Sequence, residues 1–371
     1  MRSTLSGARG DGRGRDGARA PGRAPAGLGP DRLLGSGKTT LLRELLRGPA
    51  LADTAVVINE FGEVGLDHLL LESAREDMVL LSSGCLCCTV SGDLVASLRR
   101  LYQRRCSKEV PLFRRIVIET TGLADPAPIL HTLMRDPLLA EVHRLDGVIA
   151  TVGAVNGMDQ LDRQTESVKQ AAVADRLVLT KCDLAPETKV LEERLRGLNP
   201  AAPILKAVQG RLDPGLLLDA GLYNPATKSL NVRRWLREEA YAADAAHRGH
   251  DHGDGAPHGT LDRNRHDGHI RAFCLRRQTA LDWTRFADWI EMMISLHGAN
   301  LLRIKGVLNV EGAGGPVAIH GVQHLFHPPV ELPAWPDGDR ASRLVFITRD
   351  IDGDTMARSL DALMGGDAKP A

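Results

Sequence analysis

The sequence has few aromatic residues, few cysteines and no net charge. The lack of net charge and the small number of cysteines each exclude a class of protein. Phe, Tyr and Trp make up 4% of the 371 residues, and 47 Lys and Arg balance 47 Asp and Glu. Zero net charge removes the bulk attraction on which non-specific binding to nucleic acid or to a membrane surface depends. The apolar runs are all shorter than the roughly 18 residues of a membrane-spanning helix.

Six cysteines are too few for a disulfide framework in a chain of this length, so they favour thiol or metal chemistry. The first residues also lack the apolar core of a secretory signal. We therefore expect a cytoplasmic protein that binds neither nucleic acid nor membrane.

Residues 1–32 differ in composition from the rest of the chain. They contain seven Arg, eight Gly and three Pro but no Lys, Ile, Val, Phe, Tyr or Trp. Such a segment buries too little apolar surface to offset the chain entropy lost on folding. We expect residues 1–32 to be either disordered or an artefact of a wrongly assigned start, and to supply no strand to the fold.

Residues 33–227 alternate between short β-branched runs and helical stretches. The runs lie at residues 54–58, 115–119, 146–152, 176–180 and 203–207, and helices are predicted at 38–47, 91–105 and 186–197. Strands that alternate with helices form a parallel sheet with helices on both faces. The predicted fold class is therefore α/β, with a doubly wound and mainly parallel sheet.

The remainder of the chain is predicted to hold a linker, a second domain and a tail. Residues 228–269 are rich in His, Gly and Asp, which indicates a flexible linker. Residues 270–357 are predicted to form a small α+β domain, and residues 358–371 a tail. The strands of this domain are predicted at 270–276, 301–310, 316–322 and 343–348. A helix predicted at 282–297 carries an apolar face made of Phe286, Trp289, Ile290, Met293 and Leu296.

The run Gly35-Ser36-Gly37-Lys38-Thr39-Thr40 directly precedes a predicted helix. Glycines let backbone N–H groups wrap around phosphate oxygens, and the helix N-terminus attracts negative charge. Lys38 would then reach the β- and γ-phosphates of a nucleotide, and the Thr39 hydroxyl would bind Mg²⁺. The complete phosphate-loop pattern has a further Gly where this chain has Arg32. A Gly-Ser turn before a surface helix is the alternative.

The run Thr180-Lys181-Cys182-Asp183 ends the strand predicted at 176–180. A carboxylate here accepts hydrogen bonds from N1–H and N2–H₂ of guanine, whereas adenine offers neither donor in that geometry. The aliphatic stem of Lys181 would lie across the base. A charged turn is the alternative, but downstream of a phosphate loop these residues indicate a guanine site.

The run Glu119-Thr120-Thr121-Gly122 ends the strand predicted at 115–119. A carboxylate at such a strand end commonly holds Mg²⁺ through water, and a backbone N–H three residues later senses the γ-phosphate. An ordinary Glu at a strand end is the alternative. We expect Lys38, Thr39 and Glu119 to be catalytic and Gly122 to contact the nucleotide.

Three thiols fall within four residues, at Cys85, Cys87 and Cys88. Cysteines so close together in a loop make poor disulfides, and soft thiolates select Zn²⁺ and similar ions. We predict a metal site in this loop, with Asn59, Glu60 and His68 as open candidates for a further ligand. A group of buried thiols without metal is the alternative.

Six histidines lie between residues 247 and 269 of the predicted linker. Neutral imidazoles two or three residues apart bind transition metals weakly. His247, His250 and His252 are therefore predicted metal ligands of modest affinity, because the linker must be ordered on binding. A merely solvated run is the alternative.

Taken together, the motifs resemble the CobW-like family of P-loop GTPases, which is related to the nickel-insertion GTPases for urease and hydrogenase. They are GSGKTT (35–40), INEFGEVGLD (58–67), GCLCC (84–88), IETTGLADP (118–126) and TKCD (180–183). Members continue with a His-rich linker and a C-terminal domain, which match LLRIKGVLNV (301–310), GVQHLFHPP (321–329) and SRLVFI (342–347). The chain departs from the family at Arg32, at Thr180 in place of Asn, and in lacking an apolar first strand.

The resemblance implies a GTP-hydrolysing metallochaperone that uses GTP and Mg²⁺. It would bind Zn²⁺, or Co²⁺, at the CxCC loop and deliver the metal to a client metalloenzyme. One alternative is a metal buffer or storage protein with impaired GTPase activity. Another is an accessory protein of cobalt insertion in cobalamin synthesis. A P-loop kinase fits less well with Asp183 and the CxCC loop.

Overall fold

The computed structural model describes thirteen stretches of the chain. They are residues 2–7, 35–59, 78–80, 86–90, 94–120, 122, 124–218, 223–224, 229–230, 269–326, 328–335, 339–365 and 369–370. Most of the predicted linker, Cys85 and the histidines at 247, 250 and 252 lie outside these residues.

The first domain is built on an eight-stranded sheet. Its strands are β1 Arg2–Gly7, β2 Thr54–Asn59, β3 Met78–Leu80, β4 Leu86–Val90, β5 Arg115–Thr120, β6 Arg144–Gly153, β7 Arg176–Thr180 and β8 Ile204–Lys206. Their order in the sheet is β3-β4-β2-β5-β1-β6-β7-β8. All neighbouring pairs are parallel except β3 and β4. The predicted doubly wound and mainly parallel sheet is thus confirmed.

Strand β1 corrects the prediction that residues 1–32 supply no strand. It pairs in parallel with β5 on one side and with β6 on the other. The prediction relied on the absence of apolar residues, but a central strand is also held by its backbone hydrogen bonds, which do not depend on side chains. Disorder is therefore the wrong description of residues 2–7. Residues 8–34 lie outside the described chain.

Helices cover both faces of this sheet. They are α1 Lys38–Leu46, α2 Leu94–Cys106, α3 Pro126–Arg135, α4 Pro137–Val142, α5 Gly157–Arg163, α6 Thr165–Val173 and α7 Lys189–Leu198. On one face, Leu41 and Leu45 of α1 pack with Ile149 of β6. On the other face, Leu98 of α2 and Leu130 of α3 belong to the main apolar cluster. Among the described residues, every helix is too short or too polar to span a lipid bilayer.

The second domain is an antiparallel sheet with two helices. After a two-stranded ladder of β9 Tyr223–Asn224 and β10 Ser229–Leu230, the strands are β11 Ile270–Arg277, β12 Leu301–Leu308, β13 Val317–Val322, β14 Leu325–Phe326, β15 Val330–Glu331, β16 Ser342–Arg349 and β17 Lys369–Pro370. The helices are α8 Trp283–His297 and α9 Gly353–Met364. The strand order is β14-β13-β12-β16-β11-β17, with β15 beside β13. The predicted α+β domain is confirmed.

Two details of this domain differ from the predictions. Leu296 was placed on the buried face of α8, but it is 67% exposed, because periodicity does not show how far along a helix its neighbours reach. Helix α9 continues past residue 357, and its Leu360 is fully buried in the core of the domain. The boundary predicted at residue 357 is therefore wrong.

A buried ion cluster joins the two domains. Asp175, between α6 and β7, accepts hydrogen bonds from Arg303 at 2.5 Å and from Lys305 at 2.8 Å, both on β12. Its second carboxylate oxygen accepts from the backbone N–H of Val148 at 3.0 Å. Burial raises the pKa of Asp175, but the two cations outweigh it and hold the pKa well below its usual value. Asp175 is thus a buried, charged link between the domains.

Helix α3 makes a second contact with the C-terminal domain. The ring of His131 lies against the ring of His324, in the turn between β13 and β14, with 3.9 Å between centroids. His131 also donates a hydrogen bond to the backbone of Val322. Burial is the main cause that lowers the pKa of His131, followed by His324. Both α3 and α6 therefore reach from the first domain to the second.

The ion cluster predicts a strong stability effect for Asp175→Asn. The amide still accepts from Val148, but Arg303 and Lys305 lose their counter-charge inside the interface. Breaking a buried pair in this way costs about 3–5 kcal/mol of unfolding free energy. Chemical denaturation measures the loss. The control is Asp159→Asn, which removes an exposed pair with Arg163 and should cost less than about 1 kcal/mol. Equal effects of the two variants would contradict this account.

Candidate nucleotide site

The candidate site lies at the carboxyl edge of the first sheet, where β5, β6 and β7 end around the N-terminus of α1. Ligands of open α/β sheets bind at this edge, beside the point where the strand order reverses. In this sheet the order reverses at β1. Strands β5 and β2 lie on one side of β1, and β6 and β7 lie on the other. The three predicted motifs, which begin at Gly35, Glu119 and Thr180, all lie at this edge.

The phosphate loop has the backbone shape that its glycines allow. Gly35 and Gly37 have φ values of 72° and 78°, in the left-handed region that favours glycine. The hydroxyl of Ser36 is 2.8 Å from that of Thr151 on β6. Thr180 of β7 donates to the carbonyl of Ser36 at 2.5 Å. The loop is therefore fixed to two strands by buried hydroxyl groups.

Gly37 leaves little space for a side chain. A β-carbon on Gly37 would lie 3.2 Å from Cβ and Oγ1 of Thr180. Helix α1 begins directly after this residue. The first N–H groups of a helix point out of its N-terminal end, which is where an anion such as phosphate binds. The arrangement matches what a phosphate group requires.

Two pairs of residues meet at the start of α1. The ammonium of Lys38 donates to the backbone carbonyl of Thr120 at 3.0 Å. The hydroxyl of Thr39 donates to Oε1 of the buried Glu119 at 3.0 Å. A hydroxyl and a carboxylate are hard oxygen ligands, which Mg²⁺ prefers. The donor set around Thr39 and Glu119 thus fits a nucleotide-bound magnesium ion.

An apolar cleft lies beneath α1 and adjoins this pair. It is lined by residues of α1, of the turn at residues 49–51, of β5 and β6, and of the loop after β8, namely Leu41, Leu42, Leu45, Leu51, Val117, Ile149, Pro214, Leu217 and Leu218, with Lys38 and Glu119 at one side. Low-dielectric surroundings strengthen electrostatic interactions. The apolar lining therefore strengthens the attraction between Lys38 and a bound phosphate.

The predicted base-recognition turn follows β7 directly. Lys181 adopts a left-handed backbone with φ of 57°, and its carbonyl accepts from the N–H of Leu184 at 3.1 Å. Its ammonium lies 3.4 Å from the position that a β-carbon on Gly35 would take. Asp183 is exposed at the tip of this turn. Lys181 therefore adjoins the phosphate loop, and Asp183 is accessible to a base.

Cys182, between them, has a partly buried thiol. Burial raises the pKa of the Cys182 thiol, which keeps it protonated near neutral pH. A protonated thiol is a poor nucleophile and a poor metal ligand. Cys182 is therefore poorly suited to bind a metal ion.

Sequence analysis missed the residues that support this site. Thr151 orients the phosphate loop through Ser36. Gln170 on α6 donates to the carbonyls of Gly122, at 3.1 Å, and of Ala124, at 2.8 Å. The available signal was a polar residue among the apolar residues Val168, Ala171 and Ala172, but that pattern does not name a partner. The contacts of Thr151 and Gln170 join residues that are far apart in the sequence, so only the folded structure reveals them.

The predicted metal ligands are only partly described. Cys87 and Cys88 lie inside β4, in register with Val56 and Val57 of β2, so a loop is the wrong description of these two positions. A backbone ladder on both sides of β4 holds them there. Cys85, His247, His250 and His252 lie outside the described residues. Within the described part of the chain, no three His, Cys, Asp or Glu side chains are placed to hold a metal ion.

The fold and the site together define a P-loop GTPase with an additional α+β domain. Residues 32–206 match the model of the CobW/HypB/UreG nucleotide-binding domain, and residues 270–364 match the cobalamin synthesis protein cobW C-terminal domain. The chain belongs to the CobW family of GTPases.

Its relatives cover most of the chain. Zinc chaperone YjiA of Escherichia coli is 33% identical over 314 residues, which are 85% of this chain and 91% of that protein. Zinc-regulated GTPase metalloprotein activator 1 of Schizosaccharomyces pombe is 34% identical over 209 residues, or 53% of this chain and 49% of that protein. The crystal structure of Zn(II)-bound YjiA GTPase from E. coli superposes with a TM-score of 0.66, at 27% identity and with 98% of each chain covered.

The geometry of Gly37 predicts that Gly37→Ala abolishes tight nucleotide binding. The new methyl group makes a tight contact with Thr180, and the left-handed backbone disfavours alanine. The matched control is Gly312→Ala, because Gly312 has φ of 76° but no atom within 4 Å of an added β-carbon. Both variants carry backbone strain of about 1–2 kcal/mol, and only Gly37→Ala should lose GTP binding in calorimetry. Binding that survives in Gly37→Ala would show that this loop is not the phosphate site.

Proposed function

We propose that this protein is a GTP-hydrolysing metallochaperone that binds zinc at Cys85, Cys87 and Cys88 and delivers it to a client metalloenzyme. The observation that carries the proposal is the register of three neighbouring strands. Cys88 pairs with Val57, and Val57 pairs with Ile118, the residue before Glu119. Strands lie about 4.8 Å apart, so the backbones of Cys88 and Ile118 are separated by about 10 Å. The cysteine strand thus lies in the same sheet as the nucleotide site, with β2 between them.

The nucleotide roles follow from the positions of the side chains. Gly35, Ser36, Gly37 and Thr40 offer backbone N–H groups to the phosphates, and Lys38 offers its ammonium. Thr39 and Glu119 would hold Mg²⁺, which supplies charge neutralisation at the β- and γ-phosphates. Lys181 and Asp183 would contact the guanine base. Thr180 acts mainly on the loop, because its hydroxyl is bonded to Ser36.

GTP hydrolysis would control the metal through the segment after β5. A γ-phosphate that is bound by the N–H of Gly122 holds this segment in place, and its loss on hydrolysis releases the segment. The metal ligands on β4 are two strands away in the same sheet. The metal then has different affinities for the GTP and GDP states, and this difference is the coupling free energy between the two sites. The GTP state binds zinc, and the GDP state releases it to the client.

Zinc is favoured over cobalt as the cargo by two observations. Thiolates are preferred zinc ligands. Two relatives carry the names zinc chaperone YjiA and zinc chaperone CobW, the latter from Sinorhizobium at 27% identity over 364 residues. His247, His250 and His252 would collect the ion with lower affinity before it reaches the thiolates.

Guanine selectivity tests the nucleotide part of the proposal. Asp183→Asn should weaken GTP binding about 10- to 100-fold, because a charge-assisted contact to N1–H and N2–H₂ is lost. The amide instead donates to the O2 of xanthine, so affinity for XTP should rise. Competition titrations with GTP, XTP and ATP measure both changes. Glu187→Gln, an exposed carboxylate four residues further on, is the matched control and should leave all three affinities unchanged. Equal binding of ATP and GTP by the unmodified protein would contradict the assignment.

Metal binding tests the second part. With a GTP analogue bound, Co²⁺ should produce thiolate charge-transfer bands and bind more tightly than with GDP. The double variant Cys87→Ser, Cys88→Ser should lose the bands and the tight Zn²⁺ site, whereas the weaker histidine sites remain. Cys106→Ser removes an exposed thiol on α2 and serves as the control. Bands that persist in the double variant would overturn the thiolate assignment.

A further inference from the structure

The turn after β5 is held by one side chain from α6. The amide of Gln170 donates to the carbonyls of Gly122 and Ala124, at 3.1 and 2.8 Å. Gln170 is 4% exposed, so these hydrogen bonds are shielded from water. Removing the amide donor would leave these two carbonyls without that hydrogen bond, which lowers the stability of the folded protein. The amide therefore holds the carbonyls of Gly122 and Ala124 in place.

The neighbouring residue of α6 holds the end of the same turn. The ammonium of Lys169 is 2.7 Å from Oδ2 of Asp125. The other oxygen of Asp125 accepts from the N–H of Ala127 at 3.0 Å and so caps α3. Two consecutive residues of α6 thus fix both the turn and the start of the helix that follows it.

The C-terminal end of α6 contacts the other domain. The backbone carbonyl of Val173, the last residue of α6, accepts a hydrogen bond from Arg303. Asp175, two residues further on, pairs with Arg303 and Lys305. Helix α6 therefore touches the turn through one part of its length and the C-terminal domain through its end.

We propose that Gln170 is a positioning residue for GTP hydrolysis and that α6 transmits the state of the turn to the C-terminal domain. The inference rests on the proposed contact between Gly122 and the γ-phosphate. In the GTP state the turn is held from one side by phosphate and from the other by Gln170. When phosphate leaves, the turn moves and α6 follows, because Gln170 and Lys169 join them. The shift reaches β12 through Arg303.

The contacts on α3 agree with this direction of coupling. Helix α3 starts at the Asp125 cap, and its His131 packs edge-on against His324 of the C-terminal domain. Movement of the turn is thereby passed along two helices to the same domain. A domain that is fixed at both helices responds as one body to the nucleotide.

The test compares Gln170→Met with a matched variant of another buried amide. Methionine keeps the length of the side chain but donates no hydrogen bond. Asn199 is 2% exposed and donates to the carbonyls of Ala171, Ala172 and Ala174 at the other end of α6, so Asn199→Ala removes a similar set of bonds without touching the turn. Both are expected to lower stability.

Gln170→Met should lower kcat for GTP about 10- to 100-fold, since misplacement of a reacting group by about 1 Å has effects of this size. Its affinity for a GTP analogue should fall towards its affinity for GDP, and GDP binding should change by less than about threefold. Asn199→Ala should keep the wild-type kcat and the preference for the analogue. Lys169→Met, at a residue 20% exposed in its side chain, should reproduce the loss of preference in a more stable background.

Hydrogen exchange supplies a readout that a merely structural role would not change. In the wild type, the GTP analogue should slow exchange of the amides at 301–308 relative to GDP, and Gln170→Met should remove this difference. Identical kinetics and exchange in Gln170→Met and Asn199→Ala would overturn the inference. If the wild type neither binds nor hydrolyses GTP, the proposed function itself fails, which is a separate outcome.

Discussion

The hydrogen bond from Thr180 to the carbonyl of Ser36 is the contact on which the site depends. It joins the end of β7, which continues into the base-recognition turn, to the loop that begins α1. Because Ser36 is also bonded to Thr151, the loop is fixed to β6 and β7 at once. A threonine hydroxyl is short and its χ1 is restricted by the branched β-carbon, so the carbonyl is held at a constant position. The spacing between phosphate and base subsites is set by this contact.

The same strand also sets the relation between nucleotide and C-terminal domain. Strand β7 ends at Thr180 beside the nucleotide, and its first residue follows Asp175, the buried partner of Arg303 and Lys305. A strand of five residues in a continuous ladder is stiff along its length. Helix α6, which ends just before Asp175, contacts the segment after β5. The two elements that adjoin Asp175 thus each contact one part of the nucleotide site, and the C-terminal domain is attached where they meet.

Most of the fold could be predicted from the sequence, because strands β2, β5, β6 and β7 are β-branched runs and α1 has clear end signals. The phosphate-loop, base and Glu119 motifs were local runs, so they could be found as well. What escaped prediction depends on tertiary pairing. Strand β1 has no apolar pattern and exists through its two neighbours. Asp175 and Gln170 are single polar residues whose partners lie 128 and 48 positions away. No spacing in one sequence identifies such partners.

The position of the cysteines limits how metal affinity can depend on nucleotide. Cys87 and Cys88 lie in a strand that is paired on both sides, by β2 and by β3. Backbone atoms within a paired sheet move little compared with loops, so these two residues are constant parts of the proposed site. The difference between GTP and GDP states must then come from ligands outside β4. Asn59 is the last residue of β2 and is level with Thr120 on β5. A ligand at or just beyond Asn59 would be linked to the nucleotide through Glu119 and Thr120.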